Sequence, residues 1–487
     1  MRHGAPEAAR LLAFAAWLAT GSSALAASVT GPITGPGSPF LSSTAFPLAP
    51  LGYVEQEFFV AGTAHAYTNA GPLDSDGHWA AVPGDSAAYQ TRILVRRPAS
   101  AHRFNGTVIV EWLNVSGGLD AAPDWTSAHT VLMRKNFAWV GVSAQSVGVI
   151  GGGSLVGLDF SLKNVNPTRY GALEHPGDSF SYDMFSQVAE MIRNPVGARP
   201  LGDLKVRRLV AAGESQSAFF LVTYVNAIHP LARLFDGFLI HSRAAGGAPL
   251  SQPPQPAVTV PNVARIRSDA GVPVLTFETE TDLSQLDFFA ARQPDGEHFR
   301  LWEVAGTAHA DTYQLVVGPT DRGRAAADTS HLPPTRTVAA LITCDLPINA
   351  GPQHYVLNAA FAQLDRWVRY GIPAARAPRL VVMNGSPPLI VRDASGNALG
   401  GIRSPQVDAP VATLSGDGQT GSQLCRLFGT TTPFEPSALA ALYPTHASYV
   451  GAVQAAKAAA VQAGFLLPLD AKAISAAAAA SAVPNAP

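Results

Sequence analysis

Short runs of β-branched and aromatic residues recur along this chain, most of them closed by glycine, serine or asparagine. Thr107-Val-Ile-Val-Glu-Trp-Leu113 is strongly strand-like. Phe137–Ser143, Val206–Ala212, Phe235–Ile240, Val272–Phe277 and Phe299–Val304 read the same way. Leu51–Tyr67 and Gln90–Arg97 look like leading strands. Between these runs the period changes. Ser181–Arg193 has helical spacing, and Pro352–Gly371 reads as one amphipathic helix. In the latter Leu357, Phe361, Leu364 and Trp367 share a face, which makes them core residues rather than ligand contacts. Strands alternating with helices predict an α/β fold: a mostly parallel sheet, doubly wound, with helices on both faces.

Several stretches break the alternation. Residues 151–178 are rich in Gly and Asn with few strand signals, and are expected to wrap the mouth of a site. Residues 244–270 are Pro-rich and fall between two sheet strands, a position that suits a lid insertion. The alternation ends near residue 375, so residues 27–375 form the expected catalytic domain. Residues 376–450 hold short Pro-rich strands and predict a small subdomain packed on the core. Residues 451–487 form an Ala-rich tail. Its first half is expected to be helical, and Ser475–Pro487 to be disordered because Ala and Pro there bury almost nothing.

The chemistry enters at Gly213-Glu-Ser-Gln-Ser217, which follows an apolar run and opens the helix-like stretch Ala218–Ala227. A serine at a sharp turn from strand to helix has its hydroxyl pushed out of the sheet. Ser215 is therefore the candidate nucleophile. The usual pattern ends in glycine, because strand and helix pass close together there. Ser217 is the next size up, and the plain alternative is a polar turn without chemistry. Partners for Ser215 follow in the order acid, then histidine. Glu278, Glu280 and Asp282 lie in the loop after Val272–Phe277, and His309 ends the loop after Phe299–Val304. A histidine so placed can take the serine proton, while an acid on its other nitrogen fixes the tautomer. Asp282 is the first choice of acid and Glu280 the alternative. His241 reads as core or pocket wall, and His354 as a residue lining the pocket. Two backbone N–H groups should face the reacting oxygen. One is that of Gln216, and the other that of Val115 or Ser116, in the Gly-rich turn after Thr107–Leu113.

Glu111–Gly118, Gly213–Ser217, Glu280–Asp282, Leu301–Asp311 and Gly351–Val356 together resemble the "alpha/beta hydrolase domain" proteins, a bacterial group within the α/β-hydrolase superfamily. The resemblance covers about residues 30–440. It implies an α/β-hydrolase core and a Ser-His-acid triad, and it implies no substrate. The Ser at position 217 resembles the group's own habit.

The remaining features narrow the setting. With 487 residues, 47% of them apolar, the chain can bury a large core. Only 14% are charged, the formal net charge is −2, and no basic stripe is present, which argues against nucleic acid as a partner. Arg2 and Arg10 flank or precede the short apolar core Leu11–Ala19, and Ala24-Leu-Ala26 is a small-residue cleavage site. Residues 1–26 thus read as an export signal, leaving a periplasmic or secreted protein with no membrane span. Cys344 and Cys425 are the only cysteines. In an oxidising compartment they read as a disulfide rather than two buried thiols. Neither has metal-ligand spacing, so no metal or cofactor is expected.

The expected reaction is hydrolysis of carboxylic esters, on a small-molecule or polymeric substrate, through an acyl-enzyme on Ser215. An acyltransferase, lactonase or amidase would use the same residues. A non-catalytic exported binding protein is the alternative from another class. The chain gives no sign of its oligomeric state.

Overall fold

The computed structural model describes residues 27–154, 157–323, 328–338, 342–383, 385 and 387–485. The export signal expected at residues 1–26 lies outside them. Nine strands form the central sheet: β1 (Ser28–Thr30), β2 (Tyr53–Asn69), β3 (Ala81–Pro98), β4 (Thr107–Trp112), β5 (Ala138–Val142), β6 (Arg208–Glu214), β7 (Gly237–His241), β8 (Val274–Glu278) and β9 (Phe299–Glu303). Their spatial order is β1-β2-β3-β5-β4-β6-β7-β8-β9. The run from β5 to β9 is parallel throughout, and β1, β2 and β3 add an antiparallel end. The main helices are α1 (Pro123–Arg134), α2 (Ser181–Arg193), α3 (Gln216–Thr223), the short α4 (Glu280–Ser284), α5 (Gln353–Tyr370), α6 (His446–Ala463) and α7 (Pro468–Ala480). This is the α/β-hydrolase architecture, a mostly parallel sheet flanked by helices.

Alternation along each strand explains why both faces are covered. Val108, Val110 and Trp112 of β4 pack in one core with Phe185 of α2 and Phe220 of α3. Ile109 faces the other side, in a second core with Trp125 of α1 and Phe361 and Leu364 of α5. The same split separates Leu209 and Ala211 of β6 from Val210 and Ala212. Parallel strands buried on both faces read as continuous apolar runs, and so they were recognisable.

The order of the strands creates an opening. β4 and β6 lie side by side, with Glu111 opposite Ala212. After β4 the chain crosses to β5 on one side, and after β6 it goes to β7 on the other. The two loops at the carboxyl ends of β4 and β6 therefore diverge, which is where sheets of this kind open a crevice.

Some expectations change. The second leading strand starts at Ala81, well before Gln90, because it pairs with β2 over nearly its whole length. Ser475 is not disordered: it lies within α7, whose Ala471, Ile474 and Ala478 bury against Tyr449 and Val453 of α6. Small alanine side chains let the two helices meet closely, and a long helical pair buries what a loose tail would not. Thr445 and Ser448 cap the start of α6, and Gly464 closes it. Cys344 and Cys425, 81 residues apart, are joined in a disulfide. Among the described residues no helix is long and apolar enough to cross a membrane.

At the antiparallel end, charge is buried in pairs. Glu57 of β2 receives Arg169 Nε at 2.7 Å and the Tyr170 hydroxyl at 2.9 Å, with Arg92 Nη1 3.6 Å away. Arg92 Nη2 donates to Asp120 Oδ2 at 2.5 Å, and the Ser143 hydroxyl donates to that same oxygen at 2.5 Å. The cluster holds Asp120, and with it the far end of the β4 loop. Removing one member of a buried ion cluster leaves the others uncompensated. Glu57→Ala is expected to lower the unfolding free energy by about 3–5 kcal/mol, read from the urea midpoint. A midpoint unchanged from the parent would show that the cluster carries no such load.

Candidate active site

β6 runs two residues further than its apolar run and delivers Ser215 at its tip. The Ser215 backbone stands at φ 59°, ψ −122°, a region that residues with a Cβ rarely occupy. Its N–H donates to His241 O at 2.9 Å, which holds the turn against β7. Gln216 is the first residue of α3, so its N–H has no acceptor within the helix. Ser217 is fully buried, and a Cβ built on Gly213 would lie only 3.1 Å from the Ser217 Cβ. The extra bulk at 217 is accommodated because residue 213 has no side chain.

His309 reaches Ser215 from the loop after β9. Its Nε2 lies 2.8 Å from Ser215 Oγ, and its Nδ1 lies 2.6 Å from Asp282 Oδ1. The other oxygen of Asp282 accepts from the N–H and hydroxyl of Thr279, at 2.6 and 2.7 Å, and caps α4. One carboxylate thus fixes both a helix start and an imidazole. Glu280 points elsewhere. Its Oε1 accepts the Gly306 N–H at 2.6 Å, and its Oε2 accepts the Gly416 N–H at 3.1 Å and Arg392 Nη2 at 3.0 Å. Gly306 has φ 73°, which bends the chain towards His309, so Glu280 pins the turn that carries the histidine. Glu278 ends β8, and burial pushes its carboxyl well above the ordinary carboxylate range.

The loop after β4 supplies the opposite side. The Ser116 N–H is already donated to Asn114 Oδ1 at 2.9 Å. No acceptor for the Val115 N–H is present among the described residues. Val115, Ser116, Ser215, Gln216 and His309 all border one cavity of about 560 Å³. Phe219 and Leu286 form its apolar side, and Gly153 and Asp178 come from the 151–178 stretch. Among its lining, no residue comes from 244–270; that segment packs on α2 and α3, with Tyr182 donating to Pro249 O and Thr223 to Ala248 O.

One placement differs from the sequence reading, and two others complete it. His354 does not line this cavity. It stacks on Tyr313, ring centroids 3.6 Å apart, beside a separate cavity that Asp321 and Asp470 also border. The far wall of the active cavity is Gln423, Leu424, Arg426 and Leu427, which surround the disulfide-bonded Cys425. The segment lies in the Pro-rich stretch that the sequence marks as a small subdomain beside the pocket. Glu214 turns towards His309, with Oε1 3.4 Å from Nε2. Its position beside Ser215 was the available signal, but the side on which it points depends on the register of β6 against β7. His241 is buried and bonds Asp124 Oδ1 at 2.9 Å.

Burial works against a charged His309, but the carboxylates of Glu214 and Asp282 outweigh it and hold its pKa above the ordinary imidazole range. An imidazole oriented at one nitrogen and bonded to a hydroxyl at the other can move the hydroxyl proton.

A model of the family described as an alpha/beta hydrolase domain matches residues 29–476. Among solved structures, the chain is similar to fungal esterases from Rhizomucor miehei, at 11% identity over 63% of this chain and 85% of that one, with a TM-score of 0.30. It is also similar to a serine hydrolase without lid from Xanthomonas campestris, at 15% identity over 49% and 83%, with a TM-score of 0.26. A third is a serine hydrolase homologue from Coxiella burnetii, at 12% identity over 45% and 84%, with a TM-score of 0.27. No curated protein matches the chain.

The positive φ at residue 215 has a measurable cost. Glycine adopts it freely and alanine does not. Ser215→Gly is expected to be more stable than Ser215→Ala by about 1 kcal/mol, against the usual order of the two residues. Calorimetric melting of the pair checks this. A higher midpoint for the alanine variant would mean that the turn is not strained.

Proposed function

The chain belongs to the alpha/beta hydrolase domain family, and from that premise we propose that it is a serine hydrolase that cleaves carboxylic esters through an acyl-enzyme on Ser215. The observation that carries this reading is the line Ser215 Oγ, His309 Nε2, His309 Nδ1, Asp282 Oδ1, with links of 2.8 and 2.6 Å, standing at the edge of the cavity.

In this mechanism Ser215 Oγ attacks the ester carbonyl while His309 Nε2 takes its proton. Asp282 keeps the proton on Nδ1, so that Nε2 is free to accept. The carbonyl oxygen gathers negative charge and is met by the N–H groups of Gln216 and Val115, the Ser116 N–H being engaged by Asn114. The imidazolium then gives its proton to the leaving alcohol, and the C–O bond breaks. Water enters, loses a proton to His309 and attacks the acyl-enzyme, and Ser215 leaves with that proton. Glu280 is here a support for the Gly306 turn, and Asp282 is the acid of the triad. Esters are the natural substrate for a bare triad, because an alkoxide leaves more readily than an amide anion. The same reading has the enzyme exported to an oxidising compartment, which the Cys344–Cys425 disulfide supports.

A p-nitrophenyl ester series with acyl chains of increasing length tests the proposal. The protein is expected to hydrolyse the shorter members and to be labelled stoichiometrically by a fluorophosphonate, and Ser215→Ala to lose both properties with its circular dichroism unchanged. Lack of both activity and labelling in the parent would overturn the reading. Because only neutral His309 accepts a proton, kcat/KM should fall as pH drops through its raised pKa, placing the acid limb above about 6.5. A limb well below that value would contradict the assignment.

The two carboxylates should separate in kinetics. Asp282→Asn is expected to lower kcat by about 10⁴, as in other triads that lose the tautomer-fixing acid. Glu280→Gln keeps an acceptor for Gly306 and should cost about tenfold or less. Equal losses in the two would mean that the acid has not been identified.

A further inference from the structure

His309 Nε2 has two oxygen neighbours. One is Ser215 Oγ at 2.8 Å, and the other is Glu214 Oε1 at 3.4 Å. With Asp282 on Nδ1, the imidazole stands between two carboxyl groups, of which only one is needed to fix its tautomer. Glu214 is the last residue of β6, its side chain is 6% exposed, and it does not line the cavity. It therefore meets the histidine and not the substrate. We propose that Glu214 is a positioning residue whose negative charge stabilises the His309 imidazolium at the nitrogen that exchanges protons with Ser215. This rests on the reading of Ser215 as nucleophile.

The surroundings fit that role. Asn114 Nδ2 donates to the Glu214 main-chain oxygen at 3.1 Å and lies 3.4 Å from Oε2. The same asparagine fixes the loop of the Val115 N–H through Ser116. Glu214 thus ties the proton-transfer side of the site to the oxyanion side. The polar groups around the pair come from several elements. His241 of β7 is opposite Glu214 in the sheet, and Asp124 of α1 is bonded to His241. Asp282 comes from α4, and Gln353 of α5 lies 3.3 Å from His241 Nε2. Burial pushes Glu214 up to about 7, with the charge of His309 pulling it down and Asp124 and Asp282 pushing it up. Burial in turn pushes His241 down to about 4, so it is neutral when the enzyme works.

The consequence is specific. A charge that raises the His309 pKa makes the free enzyme harder to deprotonate, and it favours the imidazolium of the transition state by the same amount. Without that charge the acid limb should move down, and the plateau should fall by the matching factor.

The test is the pH profile of kcat/KM on a p-nitrophenyl ester for the parent, Glu214→Gln and Glu214→Asp. For Glu214→Gln the acid limb should move down by about one pH unit and the plateau fall about tenfold. The two profiles should then converge at low pH, with KM little changed. Glu214→Asp should keep the parent's limb. A plateau lowered at every pH by one factor, with the limb unmoved, would show a purely structural role and overturn the proposal. If Glu214→Gln does not fold, the parent decides by NMR with ¹⁵N-labelled histidine. His309 Nε2 should titrate in two steps, one for its own proton and one for Glu214. A single step would overturn the proposal. Fluorophosphonate labelling of the parent keeps the two readings apart: labelling with a parallel profile removes only the role of Glu214, whereas no labelling removes the nucleophile.

Discussion

Adjacent strands that leave the sheet in opposite directions set the conditions for everything else in this molecule. β4 and β6 are bonded along their length, yet their following loops part, to β5 and to β7. A gap opens at their carboxyl ends that no packing of side chains would otherwise leave. Ser215 stands on one lip and the Val115 loop on the other. The strained φ of Ser215 is tolerated because β6 is held from both sides, by Glu111 opposite Ala212 on β4 and by His241 O receiving the Ser215 N–H from β7. The rigidity of the sheet supports the strain, and the strain turns the hydroxyl out of the plane.

Carboxyl groups then divide the work within a small buried volume. Asp282 joins a helix cap to an imidazole, Glu280 joins the histidine turn to residue 416, and Glu214 approaches His309 Nε2. Glu111 lies deeper, accepting the N–H groups of Asp124 and Trp125 at the start of α1. Each is tied by a different set of donors, so the environments differ although the residue types are alike. Glu214 and Asp282 both act on His309, whereas Glu280 is paired with Arg392 and Glu111 with the start of α1.

Much of this was legible from the chain alone. The parallel strands announced themselves because burial on both faces makes them uniformly apolar, and α5 because its apolar positions recur at helical spacing. The order serine, acid, histidine could be read because each residue ends such a run. What could not be read depends on distant segments meeting. The length of β3 is set by its partner β2. The fold of α7 is set by α6, since an alanine-rich stretch carries no apolar stripe of its own. The direction of Glu214 is set by sheet register, and the placement of His354 by its stacking on Tyr313. Asn114 takes up the Ser116 N–H through one side-chain bond, which no spacing rule contains.

The far wall of the cavity is built from outside the central sheet. Ser215 and His309 stand on loops of the sheet itself, 94 residues apart. Gln423 to Leu427 come more than 100 residues after His309, and Cys425 among them is joined to Cys344. The side of the cavity opposite Ser215 therefore depends on a segment that belongs to no strand of the central sheet. A disulfide to residue 344 fastens that wall, so the width of the cavity rests on a covalent link outside the sheet that holds Ser215.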